Sequence, residues 1–470
     1  MVFSSLHCWC TRGGSGMKVL LINPPFLKGF KEFNLNLPPI GLGYIAAVLE
    51  KRGHNVKILD LSVEKWNDNG LSSYDAVGIT SLTPTYPEAL KVAKRIRDNE
   101  PDIPLIIGGP HASFVDDNAF DVFDFAVRGE GEYTFSELID TLEKGQDFRG
   151  IKGLTYSANG EVKRNQDRPF IKDLDTLPFP ARHLFNLKAK GYMKMDGEVV
   201  ASAVSSRGCP FGCSFCSASR LNGLQWRARS PGNVAEEIEE IRFRYGYKAL
   251  SFVDDNFSLD PKRVEGICNE IKERGVDIKW GCMSRVDTII KNPWMVEDMA
   301  EAGCTAVYMG IESVNEEVLE SYNKKTNVEM IKKAFKILKD SEMGIIGSFI
   351  IGEFKETRNM IENTIKFAKT LNPDVAQFSI LTPLPGTELW EKVHNRIIRK
   401  NLEFLDGTHG VMNTEYLKPE ELEDLLVKAY TQFYLRPGRI LNEFKYIIKT
   451  HDISELGQIW RFVRARKFLF

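Results

Sequence analysis

From Met17 to about Gly145, short apolar runs alternate with amphipathic stretches: VLLI at 19–22, VKIL at 56–59, AVGI at 76–79, LII at 105–107 and FAV at 125–127. Runs of this length, bounded by turn formers, predict five buried parallel strands. Between them, Ile40 to Arg52 predicts a helix closed by Gly53. Thr134 to Lys144 predicts another, with Phe135, Leu138, Ile139 and Leu142 on one face. Thr134 and Glu137 have the spacing of a capping box for that helix. Residues 17–150 thus form a doubly wound α/β domain, a class that binds ligands outside the carboxyl ends of its strands.

Those ends are polar or glycine-rich: NPPF (23–26), TSLT (80–83), GGPHAS (108–113) and RGEGE (128–132). One glycine most often just turns the chain. Four such segments at one sheet edge favour a groove for a flat or elongated ligand. No G-x-G-x-x-G follows the first strand, which disfavours a nicotinamide dinucleotide.

Ile151 to Arg164 predicts a hairpin turning at ANGE (158–161), and the proline-rich LDTLPFPARHLF (174–185) reads as a linker, so 151–198 join two domains. Beyond Val199, six strand candidates alternate with helical stretches: Ala203–Ser206, Ala249–Val253, Ile278–Gly281, Ala306–Met309, Ile345–Ile351 and Ala376–Leu381. One intervening helix carries Val328, Ile331, Phe335 and Leu338 on a single face. Six strand–helix units over 199–400 predict a partial β/α barrel with its chemistry at the carboxyl ends of the strands.

Composition supports this modular reading, since 470 residues exceed one ordinary core. Apolar residues at 43% and charged residues at 27% are globular values, and a net charge of -2 gives no reason to expect nucleic acid. No apolar run approaches the roughly 18 residues of a spanning helix. Residues 1–16 lack the features of a secretory signal and read as an extension, which leaves the cytoplasm as the expected location. Cys8 and Cys10 lie in that extension. Cys268, Cys282 and Cys304 are scattered through apolar context and read as core residues in a reducing compartment.

The other three cysteines form RGCPFGCSFC (207–216), with no fourth nearby. Structural zinc closes with four ligands, commonly two C-x2-C-like pairs, so zinc is the weaker reading. A disulfide would leave an odd thiol and suits the wrong compartment. A cubane iron–sulfur cluster saturates with four thiolates, so three imply one iron with an open position for a cofactor or substrate.

The C-x3-C-x2-C spacing of Cys209, Cys213 and Cys216, with Phe211 and Phe215 interleaved, resembles the signature of the radical S-adenosylmethionine (SAM) superfamily. It also follows the first strand of a partial barrel, as that family requires. The resemblance implies a 4Fe-4S cluster whose free iron chelates SAM. It also implies reductive cleavage to a 5'-deoxyadenosyl radical, and an electron donor such as flavodoxin or ferredoxin. SAM contacts would come from later strand ends: Asp254 in FVDDNF, Glu312 in GIES, and Gly352 in GSFIIGEF, which lacks the family's usual proline. Arg285 in SRVD would face either the SAM carboxylate or an acidic neighbour, and Asp260 reads as a helix cap.

An α/β domain ahead of such a barrel resembles the cobalamin-binding class, which includes the class B methylases and the anaerobic magnesium-protoporphyrin ester cyclase. The first domain is then Rossmann-like and cobalamin-binding, with the corrin's nucleotide tail lined by Thr80, Ser81, Gly108, Gly109, Gly129 and Glu130. The D-x-H-x-x-G sequence that supplies a histidine to cobalt in many cobalamin enzymes is absent, so His111 either contacts the corrin or simply lines its loop. The implied reaction is methylation of an unactivated carbon through methylcobalamin. The alternatives are oxidative cyclisation without methyl transfer, and a cobalamin carrier or redox sensor without turnover. The substrate class spans small molecules and lipids.

Residues 401–470 leave the barrel pattern. Lys418 to Leu435 reads as a helix started by Pro419. From Arg436 to Phe470, eight Lys or Arg face three Asp or Glu, with six aromatics interleaved. Such a segment suits a helical lid on the barrel, the favoured reading, or peripheral contact with an anionic membrane.

Overall fold

The computed structural model describes residues 16–26, 36–66, 70–195 and 197–439. The chain forms two compact units, one reaching Met193 and the other starting at Lys194. The N-terminal extension and the basic segment beyond residue 439 lie outside the described residues.

The first unit is built on a sheet of β1 (Lys18–Asn23), β2 (Asn55–Asp60), β3 (Ala76–Thr80), β4 (Leu105–Gly108), β5 (Phe125–Val127), β6 (Leu154–Ala158) and β7 (Glu161–Arg164), ordered 2-1-3-4-5-6-7. The first five strands are parallel, and the order reverses between β1 and β3, which makes their carboxyl edge the expected ligand crevice. Apolar runs such as KVLLIN, buried from Val19 to Ile22, give the strands two covered faces. Helices α1 (Ile40–Lys51), α2 (Tyr86–Asn99) and α3 (Gly131–Glu143) flank the sheet. α2 has a clear apolar stripe of Tyr86, Ala89, Val92, Ala93 and Ile96 that the strand-centred reading passed over. The hairpin does more than join domains: β6 pairs antiparallel with β5 and extends the sheet.

The expected capping box at Thr134 is corrected. Gly129, at φ +70°, turns the chain early enough for α3 to start at Gly131, so Thr134 lies inside the helix. Its hydroxyl instead donates to Lys152 O at 2.9 Å and accepts from Arg168 Nε at 2.8 Å, while Glu137 pairs with Arg168.

The second unit is a half-barrel. β9 (Glu198–Ala203), β12 (Ala249–Phe252), β13 (Lys279–Ser284), β14 (Cys304–Glu312), β15 (Gly344–Ile351) and β16 (Val375–Ile380) run parallel in that order, with β8 (Lys194–Met195) antiparallel at the edge. Helices α4 (Pro261–Glu273), α5 (Pro293–Glu301), α6 (Val328–Asp340) and α7 (Arg358–Leu371) alternate with the strands. Side chains of Asp260, Asn327 and Thr357 cap α4, α6 and α7. Trp280, Phe252 and Phe257 cluster on the helix side, and Trp280 Nε1 donates to Ala302 O at 2.7 Å. The first strand ends at Ala203, three residues before its expected end, because Ser205 and Ser206 are drawn into other bonds described below.

An open barrel leaves β16 with an unpaired edge. Here α8 (Pro419–Tyr434) covers it through two tyrosines one turn apart. Tyr430 Oη donates to Phe378 O at 2.9 Å and accepts from Phe378 N at 3.1 Å, and Tyr434 Oη does the same for Ala376 at 2.9 and 3.1 Å. Gly407 O then accepts from Ile380 N at 2.7 Å. Among the described residues, no helix is long and apolar enough to cross a membrane.

Candidate functional site

The cysteine loop is closed at its neck by two short antiparallel strands, β10 (Ser206–Arg207) and β11 (Arg227–Ala228). Between them Gly208 sits at φ +87°, and a Cβ there would lie 2.0 Å from Gln225 O, so only glycine fits ahead of Cys209. Two aspartates from the end of β12 anchor this neck. Asp254 accepts from Ser205 N at 2.7 Å, Ser205 Oγ at 2.6 Å and Ser206 Oγ at 2.5 Å. Asp255 accepts from Gly208 N at 2.9 Å and Asn222 Nδ2 at 3.0 Å.

Asp254 is therefore a correction. At 1% exposure, with three donors already on its oxygens, it has no free face for SAM and acts on the loop instead.

The second half of the loop rests on short helices that follow later strands. Ser214 Oγ donates to Ser321 O at 2.9 Å, Leu389 N donates to Ser214 O at 2.9 Å, and the Phe215 ring meets Tyr322 edge-on at 5.0 Å. The Arg285 guanidinium lies 3.6 Å from the centroid of Phe211, a cation–π contact, while its Nε donates to Asp287 at 2.9 Å. Both the acidic neighbour and a place beside the cysteine loop are thus realised for Arg285. Glu312, in the left-handed region at φ +66° where β14 is irregular, is 5% exposed and paired with Lys324. Lys324 also donates to Gly310 O at 2.9 Å. Gly352, at φ +87°, ends β15, and its N–H donates to Glu356 Oε2 at 2.7 Å.

Lys324 and Glu356 escaped sequence reasoning. The first lies in a Lys-Lys-Thr stretch that reads as solvated charge. The second lies two residues past the segment compared with the family motif. Glu356 is fully buried, and burial pushes its carboxyl up to about 7.

The three thiols of the loop are free. Burial raises Cys209 and Cys213 above the usual thiol range, with Arg285, and at Cys213 also Lys324, opposing it, so metal must displace protons to bind. Among the described residues, only His54, Asp140 and Glu143 bring three possible ligand atoms within 4.8 Å of one another. The three sulfurs, in their thiol form, are not drawn together as around one ion. Nor is the His54 group a metal site in waiting: Nδ1 accepts from Met17 N at 3.0 Å and Nε2 meets Asp140 at 2.8 Å.

In the first unit, Thr80, Ser81, Gly108, Gly109 and Gly129 gather at the carboxyl ends of adjacent β3, β4 and β5. Ser81 Oγ is buried without a partner, and a Cβ at Gly108 or Gly129 would meet nothing within 4 Å. An orphaned hydroxyl beside open space suits a polar ligand chain. Glu130 and His111 are both engaged within the unit. Glu130 Oε2 already accepts from Ile171 N at 2.7 Å. His111, 3% exposed, packs on Tyr86 at 4.5 Å with Nδ1 3.2 Å from Thr83 Oγ1, and burial lowers its pKa to about 4. With Nδ1 beside Thr83, it lines its loop.

Comparison with known proteins decides the family. The model of the radical SAM superfamily matches residues 204–368, and that of the B12 binding domain matches 30–139. An uncharacterized methyltransferase of Pyrococcus horikoshii is 38% identical, over 91% of this chain and 94% of its own length. The chain belongs to the radical SAM superfamily. Within it, the anaerobic magnesium-protoporphyrin IX monomethyl ester cyclase of Rubrivivax gelatinosus is 28% identical over 89% of this chain and 78% of its own. Among solved structures, the cobalamin-dependent SAM radical enzyme OxsB, with aqua-cobalamin bound, has the same fold at a TM-score of 0.74. That match has 18% identity and covers 95% of this chain and 72% of the other. This radical SAM protein is an enzyme, and its cofactors are a 4Fe-4S cluster, SAM and cobalamin.

Proposed function

We propose that this enzyme transfers a methyl group to an unactivated carbon of a small-molecule substrate. The observation that carries the reading is one chain with two sites: a three-thiol loop on a half-barrel and a B12-binding sheet edge with an orphaned hydroxyl. When bound, the cluster, SAM and cobalamin together supply radical formation and a transferable methyl group.

The chain's own residues bind and orient. Cys209, Cys213 and Cys216 hold the cluster, and Asp254 and Asp255 fix the loop that presents them. Arg285, beside that loop, and Gly352, at the end of β15, border the SAM position. The Glu312–Lys324 pair adds a carboxylate and an ammonium at the same rim. In the first unit, Thr80, Ser81, Gly108, Gly109 and Gly129 form the cobalamin tail's cradle. Asp254, Asp255, Glu312 and Glu356 each already have a partner, so none of these four carboxylates is set aside as a general base. That suits attack on a carbon without an acidic proton.

The reaction draws on a one-electron reductant, for which flavodoxin or ferredoxin is the natural class. Three thiols available to a cluster suit a reducing compartment such as the cytoplasm. A lipid substrate would give the basic segment beyond residue 439 a role at a membrane surface. The likeness to the ester cyclase supports oxidative cyclisation as a second reading. Anaerobic turnover with methyl-labelled SAM, cobalamin, reductant and cell extract separates the two. Label in a new product supports methyl transfer; deoxyadenosine with an altered but unlabelled product supports cyclisation.

A further inference from the structure

A strap from Ser321 to Lys324 holds the cysteine loop from the side opposite Asp254 and Asp255. It leaves the short helix Glu316–Ser321 and turns at Asn323, whose φ of +56° is the left-handed conformation of a helix end. The turn is fixed by Asn323 N donating to Glu320 O at 2.9 Å and Lys324 N to Leu319 O at 2.8 Å. Ser214 donates to the strap twice, from N to Tyr322 O at 3.3 Å and from Oγ to Ser321 O at 2.9 Å. Asn323 Nδ2 donates in the other direction, to Phe211 O at 3.4 Å and Gly212 O at 3.3 Å. Cys213 therefore lies between two residues that are both bonded to the strap.

Lys324 is the strap's last residue, and its side chain is turned inward, only 9% exposed. It crosses the bare backbone of β14, where a Cβ at Gly310 would stand 2.6 Å from Nζ. There Nζ donates to Gly310 O at 2.9 Å and pairs with Glu312 Oε1. Backbone, carbonyl and carboxylate together give this ammonium a single place beside the loop. The field at Cys213 agrees: burial raises the thiol, and of the two cations opposing it Lys324 acts more strongly than Arg285, while Glu312 acts the other way. Arg285 lies on the Phe211 ring and has Asp287 as its own counter-ion.

We propose that Lys324 raises the reduction potential of the cluster held by Cys209, Cys213 and Cys216, and that Glu312 moderates this effect. The proposal rests on the radical reading above. One electron from the reductant adds one negative charge to the cluster, with no bond made or broken. A fixed cation nearby stabilises the reduced form more than the oxidised one, and burial spares that interaction the screening it would suffer in water. Glu312, paired with the same ammonium, opposes it with a charge of the other sign. Lys324 thus acts through the cluster rather than on a substrate, and Asn323 positions it.

The test uses the full chain, reconstituted anaerobically with iron and sulfide and kept free of SAM, so that SAM affinity does not enter. Dithionite titration against mediator dyes gives the midpoint, with the reduced cluster counted by electron paramagnetic resonance. At the potential where the wild type is half reduced, Lys324→Met is expected to have an about tenfold lower ratio of reduced to oxidised cluster, a downward shift of about 59 mV for one electron. Lys324→Arg, which keeps the charge, is expected to stay near the wild-type midpoint, and Glu312→Gln is expected to move it upward. A wild-type midpoint in Lys324→Met with a complete cluster overturns the proposal, as does a downward shift in Glu312→Gln, which would report a disturbed loop rather than a charge. Should Lys324→Met fail to hold iron, Glu312→Gln decides alone, and an unmoved midpoint there overturns the proposal. Each of these failures leaves the radical reading intact. Wild-type protein with no reducible 4Fe-4S cluster overturns both.

Discussion

Gly108 and Gly109 are neighbours at the end of β4, yet alanine should have opposite effects at the two positions. Gly109 has φ +85° and ψ -179°, a region open almost only to glycine. A Cβ there would lie 2.5 Å from Thr80 Oγ1 and 2.8 Å from both Ser81 N and Ser81 O. Backbone strain of about 1–3 kcal/mol, together with the displacement of β3's terminal residues, puts the cost of Gly109→Ala at roughly 3–5 kcal/mol. That is a large share of a domain's usual stability of about 5–15 kcal/mol. At Gly108 the Cβ meets nothing and the backbone is ordinary, so Gly108→Ala should change stability by no more than about 0.5 kcal/mol. If the nucleotide tail of cobalamin runs through that space, the added methyl should weaken binding about tenfold, or about 1.4 kcal/mol. Urea unfolding of the cobalamin-free variants by circular dichroism reads the first effect, and titration with cobalamin followed by absorbance reads the second. Wild-type cobalamin affinity in Gly108→Ala would refute the placement of the tail, and a wild-type unfolding midpoint in Gly109→Ala would refute the packing argument.

Three further expectations follow from buried polar groups. Asp254→Asn removes the charge that three donors share, so it should cost about 1–3 kcal/mol and lower the iron bound per chain after anaerobic reconstitution; full iron content would show that the loop does not depend on it. Glu356 has a native pKa of about 7, above its ordinary 4.5, so the native state holds that proton more tightly than the unfolded chain. Its contribution is complete below about pH 4.5 and is lost as pH rises through about 7, on the order of 3 kcal/mol in all, and Glu356→Gln should flatten this part of a denaturation-midpoint profile. His111→Ala should lose about 2–3 kcal/mol of stability by emptying the space beside Tyr86, while the absorbance of bound cobalamin, which reports axial coordination, stays as in wild type.

The central strands of the first unit, β1, β3, β4 and β5, were legible because both faces are covered, which forces a continuous apolar run into the sequence. The cysteine loop was legible because its chemistry depends on spacing within ten residues. What escaped depends on long-range partners. FVDDNF shows two carboxylates at a strand end, but only folding reveals that Ser205, Ser206 and Gly208 consume them. Thr134 and Glu137 satisfy a local capping rule, yet Arg168 and Lys152, distant in sequence, offer them other bonds. Tyr430 and Tyr434 look like ordinary aromatics on an amphipathic helix until β16 proves to need its edge covered.

The two units also secure their ligand positions by different physics. In the first, the sheet edge is shaped by backbone: a glycine pressed on Ser81, another left open, and a hydroxyl awaiting a partner. Such an edge loses little by releasing its ligand, since few side chains were organised for it. In the second, buried carboxylates fix the loop before any metal arrives, and each would be costly to leave unpaired. The cluster loop should therefore be ordered in the metal-free protein, with burial favouring the thiol form of Cys209 and Cys213, and iron binding should release protons without a large gain in helix or strand content. A metal-free chain whose circular dichroism changes markedly on reconstitution would show instead that the cluster, and not Asp254 and Asp255, builds the site.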